Sequence, residues 1–188
     1  MSMYKICITN RKLVSGDFLS QIGRVLSKKP CAIILREKDL SETEYEELAK
    51  QVKKLCDGSE TLLILHSFSG VAKRLGADSL HLPLSAFLKM SEEEKSCFKH
   101  IGVSTHSVED ALLAEKNGAS YVTAGHVFAT DCKKGVPPRG LSFLREVCDA
   151  VSIPVYAIGG IHEQNMEACK ARGAAGICMM SEYMRNDI

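Results

Sequence analysis

The chain has 188 residues, of which 45% are hydrophobic and 25% charged, and its formal net charge is +1. This composition is ordinary for a soluble globular protein, and the near-zero charge gives no indication of a nucleic-acid or membrane partner. We find no run of about 18 apolar residues that could span a membrane and no signal sequence. We therefore expect a cytoplasmic protein with a single domain over residues 1–188.

Eight apolar runs of strand length alternate with helical patterns along the chain. Most runs are nearly continuous, which is typical of parallel strands covered on both faces. Eight such βα units predict a closed (β/α)8 TIM barrel. In chain order the predicted strands are Tyr4–Thr9, Ala32–Arg36, Thr61–Leu65, Ser79–Leu82, His100–Ser104, Tyr121–Gly125, Pro154–Ile158 and Gly176–Met180.

Local signals mark the helix ends between these strands. Ser41 and Ser91 are each followed three positions later by glutamate, which predicts capping boxes, and Ser107 with Asp110 is a weaker variant. Glycines that follow a helical pattern and precede a strand predict left-handed helix ends. These glycines are Gly76, Gly118 and Gly173.

The eighth strand is followed by few residues in this sequence, so we expect the eighth helix to be short or missing. The first and eighth strands would then be poorly covered on the outside. A second copy of the chain could cover them, and we therefore expect a homo-oligomer.

The functional groups of a TIM barrel lie at the C-terminal ends of its strands. His126 follows the sixth predicted strand, and Lys133, Lys134 and Arg139 stand in the loop after it. A histidine beside a cationic loop suits proton transfer on an anionic small molecule. The alternative is a core histidine that is held by a backbone carbonyl.

Two further strand ends predict anion binding. Gly159 and Gly160 follow the seventh strand and Ser181 follows the eighth, where barrels commonly bind phosphate; a tight turn is the other explanation for the glycines. Arg36 and Lys38 stand at the end of the second strand. Their charges could bind an anion together, or they could simply be solvated at the rim of the barrel. Together these groups favour a phosphate ester substrate.

The sequence lacks the motifs that several kinds of cofactor and metal site require. The chain has no dinucleotide-binding or Walker glycine motif, and its eight cysteines form no C-x-x-C pair, so neither a disulfide framework nor a zinc site is expected. Strands three and four end in His66-Ser67 and Pro83–Ser85, without the oxygen ligands that magnesium requires. We expect no metal and no cofactor. His66 and His81 are expected to be structural or at the rim, and the reactivity of Cys132 stays open.

Long segments of the chain resemble the thiamine-phosphate synthase / TenI superfamily. They are LREKDLSETEY (35–45), LGADSLHL (75–82), IGVSTHSVEDALLAEKNGASYV (101–122) and PVYAIGGI (154–161). Synthases of this superfamily carry an Asn–Asp pair after strand three and a G-Q-x-D segment after strand four, and both carboxylates are missing from this chain. The segment GHVFATDCKKG (125–135) is similar to TenI, the thiazole tautomerase.

The resemblance implies a cofactor-free isomerase of thiamine biosynthesis that aromatises a carboxythiazole phosphate, with His126 as the catalytic proton shuttle. From position or from resemblance, the residues expected to bind the substrate are Arg36, Lys38, Ser104, Thr130, Lys133, Gly159, Gly160, Met180 and Ser181. Three alternatives stay open. They are a thiamine-phosphate synthase that joins a pyrimidine pyrophosphate to a thiazole phosphate, a non-catalytic thiazole phosphate-binding or regulatory protein, and a barrel isomerase with another phosphorylated substrate.

Overall fold

The computed structural model describes residues 3–133 and 135–185. Eight parallel strands pair with their neighbours in chain order, and the last strand pairs with the first to close a barrel. The strands are β1 (Tyr4–Ile8), β2 (Ala32–Leu35), β3 (Leu62–His66), β4 (Ser79–Pro83), β5 (His100–Thr105), β6 (Tyr121–Gly125), β7 (Val155–Ile158) and β8 (Gly176–Met179). The predicted (β/α)8 fold is confirmed.

Helices follow the strands on the outside of the barrel. Among the described residues they are α1 (Phe18–Ser27), α2 (Glu42–Cys56), α3 (Ser69–Arg74), α4 (Leu84–Phe87), α5 (Glu92–Ser96), α6 (Val108–Lys116), α7 (Gly140–Ala150), α8 (Met166–Lys170) and α9 (Ser181–Met184). The helix after β8 is short, as predicted. No helix in the described ranges is long and apolar enough to cross a membrane.

The local capping predictions are confirmed. Ser41 accepts a hydrogen bond from the amide of Glu44, and the Glu44 carboxylate accepts one from the amide of Ser41, which closes a capping box at the start of α2. The same reciprocal pair opens α5, and the Ser107 side chain caps α6. The three predicted helix-end glycines all have positive φ, between 61° and 94°. Near the end of α2, Cys56 is buried, whereas Leu55 is exposed.

The alternation of side chains along each strand divides the core into two layers. One set of strand residues packs outward against the helices, for example Ile33, Leu65 and Leu80. The other set fills the barrel interior, with Ile34, Ile64 and their neighbours. At the C-terminal ends of the strands, the inward positions open into a cavity.

Candidate active site

A cavity of about 940 Å³ occupies the mouth of the barrel at the C-terminal ends of the strands. All ten residues predicted for the site line it: Arg36, Lys38, Ser104, His126, Thr130, Lys133, Gly159, Gly160, Met180 and Ser181. Inward positions at the ends of parallel strands converge on one space, so separate segments of the sequence meet there. Which of these residues contact a substrate stays a prediction. A smaller depression of about 390 Å³, lined partly by Leu48 and Gln51 of α2, lies away from the strand ends.

Three cations line the cavity. Arg36 and Lys38 follow β2, and Lys133 lies in a short 3-10 turn of the loop after β6. Within the part of the chain that the structure describes, none of them forms an ion pair with a carboxylate. Burial lowers the pKa of Lys38, and the positive charges of Arg36 and Lys133 lower it further. The three charges therefore share one region, here termed the cation cluster, and an anion would relieve their repulsion.

Of the other residues named in the loop after β6, Arg139 needs correction, and two lie wholly or partly outside the described residues. Arg139 was predicted to join the cationic loop at the site, but its guanidinium lies 5.4 Å from the centre of the Phe143 ring. It does not line the cavity, because stacking on α7 holds it outside. Lys134 and the side chain of Cys132 lie outside the described residues.

His126 is held by a backbone carbonyl and also lines the cavity, so its position leaves the catalytic role a prediction. It is buried, with 5% of its surface exposed, and it still lines the cavity. Its Nε2 lies 3.2 Å from the carbonyl oxygen of Val136, so Nε2–H is the donor and Nδ1 is left as an acceptor. The imidazole is thus held by a backbone carbonyl at the edge of the cavity.

Gly159 and Gly160 are required by close packing between the loops after β6 and β7. Their φ values are 98° and 64°, and a Cβ at Gly159 would lie 2.2 Å from Cβ of His126. A Cβ at Gly160 would lie 2.3 Å from the carbonyl oxygen of Ala129. The positive φ values and these close contacts therefore explain why both positions are glycine, as the tight-turn explanation predicted. The N–H groups of both glycines make no hydrogen bond to another described residue, so they also leave donors for an anion.

The acidic residues around the mouth do not fit the magnesium site that the synthase resemblance implies. Among residues 3–133 and 135–185, no group of three or more His, Cys, Asp or Glu could hold a metal ion. Glu37 is buried after β2, and its carboxylate accepts hydrogen bonds from Oγ1 of Thr9 at 2.7 Å and from the amide of Arg11 at 3.1 Å. Asp131 pairs with Arg185 at 3.2 Å. These carboxylates are already engaged, and none stands at the end of β3 or β4.

Two buried histidines lie below and beside the cation cluster. His66 ends β3 and lines the cavity, although it was expected to be structural or at the rim. Its inward position follows from the alternation along β3, which places it in phase with Ile64. Burial, with the charges of His81, Arg36 and Lys38, lowers the pKa of His66 to about 2. His81 lies deeper, and burial together with Arg36 lowers its pKa to about 3. Both imidazoles are neutral at physiological pH.

Comparisons of the sequence and of the structure with known proteins agree on one family. The profile of a family described as thiamine monophosphate synthase matches residues 5–183. A protein of Aquifex aeolicus provisionally named thiamine-phosphate synthase 2 is 36% identical over 177 residues, which cover 94% of this chain and 95% of its own length. Thiamine-phosphate synthase 2 of Streptococcus pneumoniae is 34% identical over 184 residues, 95% of this chain and 86% of its own. The structure of thiamine phosphate pyrophosphorylase from Pyrococcus furiosus has a TM-score of 0.84 at 31% identity, with 98% of this chain and 89% of that chain covered.

These relatives contradict the tautomerase prediction. They are named as synthases, at 34–36% identity over nearly the whole chain, rather than as TenI-type isomerases. The prediction relied on one strand-end histidine and on missing carboxylates. Because one barrel scaffold supports many reactions, neither feature fixes the chemistry by itself. The assignments as an isomerase and as a TenI-type enzyme are therefore wrong.

Proposed function

Since the chain belongs to the thiamine monophosphate synthase family, we propose that it is a thiamine-phosphate synthase. In this reaction the bond between a pyrimidine and its diphosphate breaks, a bond to the nitrogen of a thiazole phosphate forms, and diphosphate is released. The enzyme is then a transferase with two phosphorylated substrates. The expected homo-oligomer stays a prediction, which analytical ultracentrifugation would test.

The observation that supports this proposal is that two groups of donors suited to anions line one cavity. The cation cluster of Arg36, Lys38 and Lys133 is one. The N–H groups of Gly159 and Gly160, after β7, are the other. In the closed barrel, β2, which precedes Arg36 and Lys38, is separated from β7 by β1 and β8, whereas Lys133 lies in the loop after the neighbouring β6. An isomerase that acts on one monophosphate needs one such region, whereas a condensation of a diphosphate with a monophosphate needs two.

The two regions suit different groups. The cation cluster supplies three charges, which suits the diphosphate, because negative charge grows on the leaving group as its bond breaks. The neutral donors of Gly159 and Gly160 suit the monophosphate of the thiazole, whose charge does not change. Binding both phosphates would hold the reacting atoms together. The described residues do not fit a magnesium site.

The test is a direct assay of the condensation. Purified protein is incubated with the pyrimidine pyrophosphate and thiazole phosphate, and thiamine phosphate and diphosphate are measured separately. We expect equal amounts of both products, with the rate strongly reduced in Arg36→Gln. Diphosphate released without thiamine phosphate would indicate hydrolysis. Tight binding of thiazole phosphate with no turnover would instead support the binding-protein alternative.

A further inference from the structure

Three polar side chains form a continuous hydrogen-bonded chain inside the barrel. The hydroxyl oxygen of Tyr121 lies 3.1 Å from Nδ1 of His81, and Nε2 of His81 lies 2.9 Å from Oγ of Ser104. Tyr121 and His81 are buried, whereas Ser104 lines the cavity. The chain of contacts therefore leads from the barrel interior to the candidate substrate site.

The sheet register explains how Tyr121 reaches His81 across an intervening strand. His81 of β4 pairs with Gly102 of β5, and Gly102 pairs with Tyr121 of β6. A Cβ at Gly102 would lie 2.0 Å from Cζ and 2.3 Å from the hydroxyl oxygen of Tyr121. The phenol thus lies over the glycine, and any larger residue at position 102 would displace it from His81.

The burial of Tyr121 fixes the direction of the hydrogen bonds. In the described part of the chain, His81 is the hydrogen-bond partner of the Tyr121 hydroxyl, which makes no other such bond. If Nδ1 of His81 carried the proton, the buried Tyr121 proton would have no acceptor, which is unfavourable. Tyr121 therefore donates to Nδ1, and His81 carries its proton on Nε2.

The protonation states support this direction. Burial and the charge of Arg36 lower the pKa of His81 to about 3, so its ring is neutral and holds a single proton. Burial raises the pKa of Tyr121 far above its usual value, so the phenol keeps its proton. The Nε2–H group then donates to Ser104 Oγ. The hydroxyl proton of Ser104 has no acceptor among the described residues, and it is available to the cavity.

We propose that Tyr121 and His81 are positioning residues, which make the Ser104 hydroxyl a hydrogen-bond donor to a phosphate or diphosphate oxygen of the substrate. This inference rests on the proposed function. Arg36 and Ser104 both line the cavity at the C-terminal ends of the strands. An anionic oxygen is the acceptor that suits both groups.

Nitrogen NMR of histidine-labelled protein tests the arrangement without any assay of activity. We expect His81 to be the neutral Nε2–H tautomer between about pH 5 and 8, with its signals assigned by their loss in His81→Gln. Tyr121→Phe removes the hydroxyl and keeps the ring, so the Nδ1 signal of His81 should shift as that nitrogen loses its hydrogen-bond donor, while the proton stays on Nε2. Tyr156→Phe is the matched control, because this ring lies 5.3 Å from that of Tyr121 but outside the hydrogen-bonded chain. A wild-type His81 with its proton on Nδ1 would overturn the inference.

A double-mutant cycle tests whether Tyr121 acts through Ser104. We expect Ser104→Ala to lower kcat/KM for the pyrimidine pyrophosphate about tenfold and Tyr121→Phe to lower it severalfold. The double variant should be no worse than Ser104→Ala, because Tyr121 has no route to the substrate once the hydroxyl is gone. His81→Gln keeps an N–H donor and should retain more activity than His81→Leu. Multiplicative losses in the double variant would contradict the inference.

The two failures can be told apart. If the wild-type protein forms no thiamine phosphate, the proposed function fails. The affinity of the same four proteins for inorganic diphosphate is then measured by calorimetry, which gives a second double-mutant cycle. Coupling between Tyr121 and Ser104 in that affinity, with the expected His81 tautomer, would uphold the positioning role. Independent effects on affinity would refute it.

Discussion

Removing one charge from the cation cluster should stabilise the folded protein and weaken anion binding at the same time. Lys38 has two like-charged neighbours, Arg36 and Lys133, and burial and both charges lower its pKa. No carboxylate of the described residues pairs with any of the three. Lys38→Met removes the charge and keeps most of the aliphatic stem, so the change acts mainly on electrostatics.

The size of the expected gain in stability follows from the solvent exposure of the cation cluster. Lys38 is solvent-exposed, so each like-charge pair is screened and should cost about 0.2–1 kcal/mol, the range of surface ion pairs. Two such repulsions amount to about 1 kcal/mol, which corresponds to about 2–4 °C in Tm for a chain of this size. The screening length falls from about 10 Å at 0.1 M salt to about 3 Å at 1 M. The gain in Tm should therefore vanish at high salt.

Two measurements on the same variants check this. Thermal unfolding at low and high salt gives the stability, and calorimetric titration with inorganic diphosphate gives the affinity, which we expect to fall about tenfold in Lys38→Met. Lys54→Met is the matched control, because Lys54 is exposed on α2 and forms no ion pair with a described residue. A Tm and a diphosphate affinity that both stay at the wild-type values in Lys38→Met would refute the electrostatic argument.

Three further predictions concern groups beside the cluster. Glu37→Gln should lower the free energy of unfolding in urea by about 2 kcal/mol, because it weakens buried hydrogen bonds from Thr9 and from a main-chain amide; an unchanged urea midpoint would contradict this. Gly159→Ala should displace His126 and, with it, the loop after β7 that carries the proposed anion donors, which should lower synthase turnover about tenfold or more; a crystal structure with His126 in its original place would argue against that reasoning. The pKa of His66 is lowered to about 2 by burial, so unfolding takes up a proton below its ordinary pKa near 6.5; stability should fall as pH drops below that value, by up to about 1.4 kcal/mol per pH unit. His81, whose pKa is lowered to about 3, adds a similar dependence, so His66→Gln should reduce the slope by about half in denaturation curves recorded from about pH 7 to 5.

The architecture could be predicted from the sequence because its signals are local or periodic. Strands of a closed parallel barrel are buried on both faces, so they are nearly continuous apolar runs, and each was predicted to within one residue at either end. Capping residues bind their own backbone three positions away, so Ser41 and Ser91 could be identified without a tertiary structure.

The position of a candidate site residue was predicted consistently at strand ends and less consistently in loops, where Lys133 lines the cavity as predicted and Arg139 does not. Arg36 and Ser104 reach the cavity because the strand direction and the alternation of side chains bring them there. Arg139 was misplaced, because the direction of a loop side chain depends on what packs against it, here the ring of Phe143.

The sequence by itself determined the barrel, the position of its mouth and the cationic character of that mouth, since these depend on periodicity and on residue type. The tertiary structure alone decided which polar groups meet inside. His81 and Tyr121 are 40 positions apart, and they touch because the strand register places Gly102 between them. Such a contact depends on the stagger of neighbouring strands, which is a property of the closed sheet and not of any single segment.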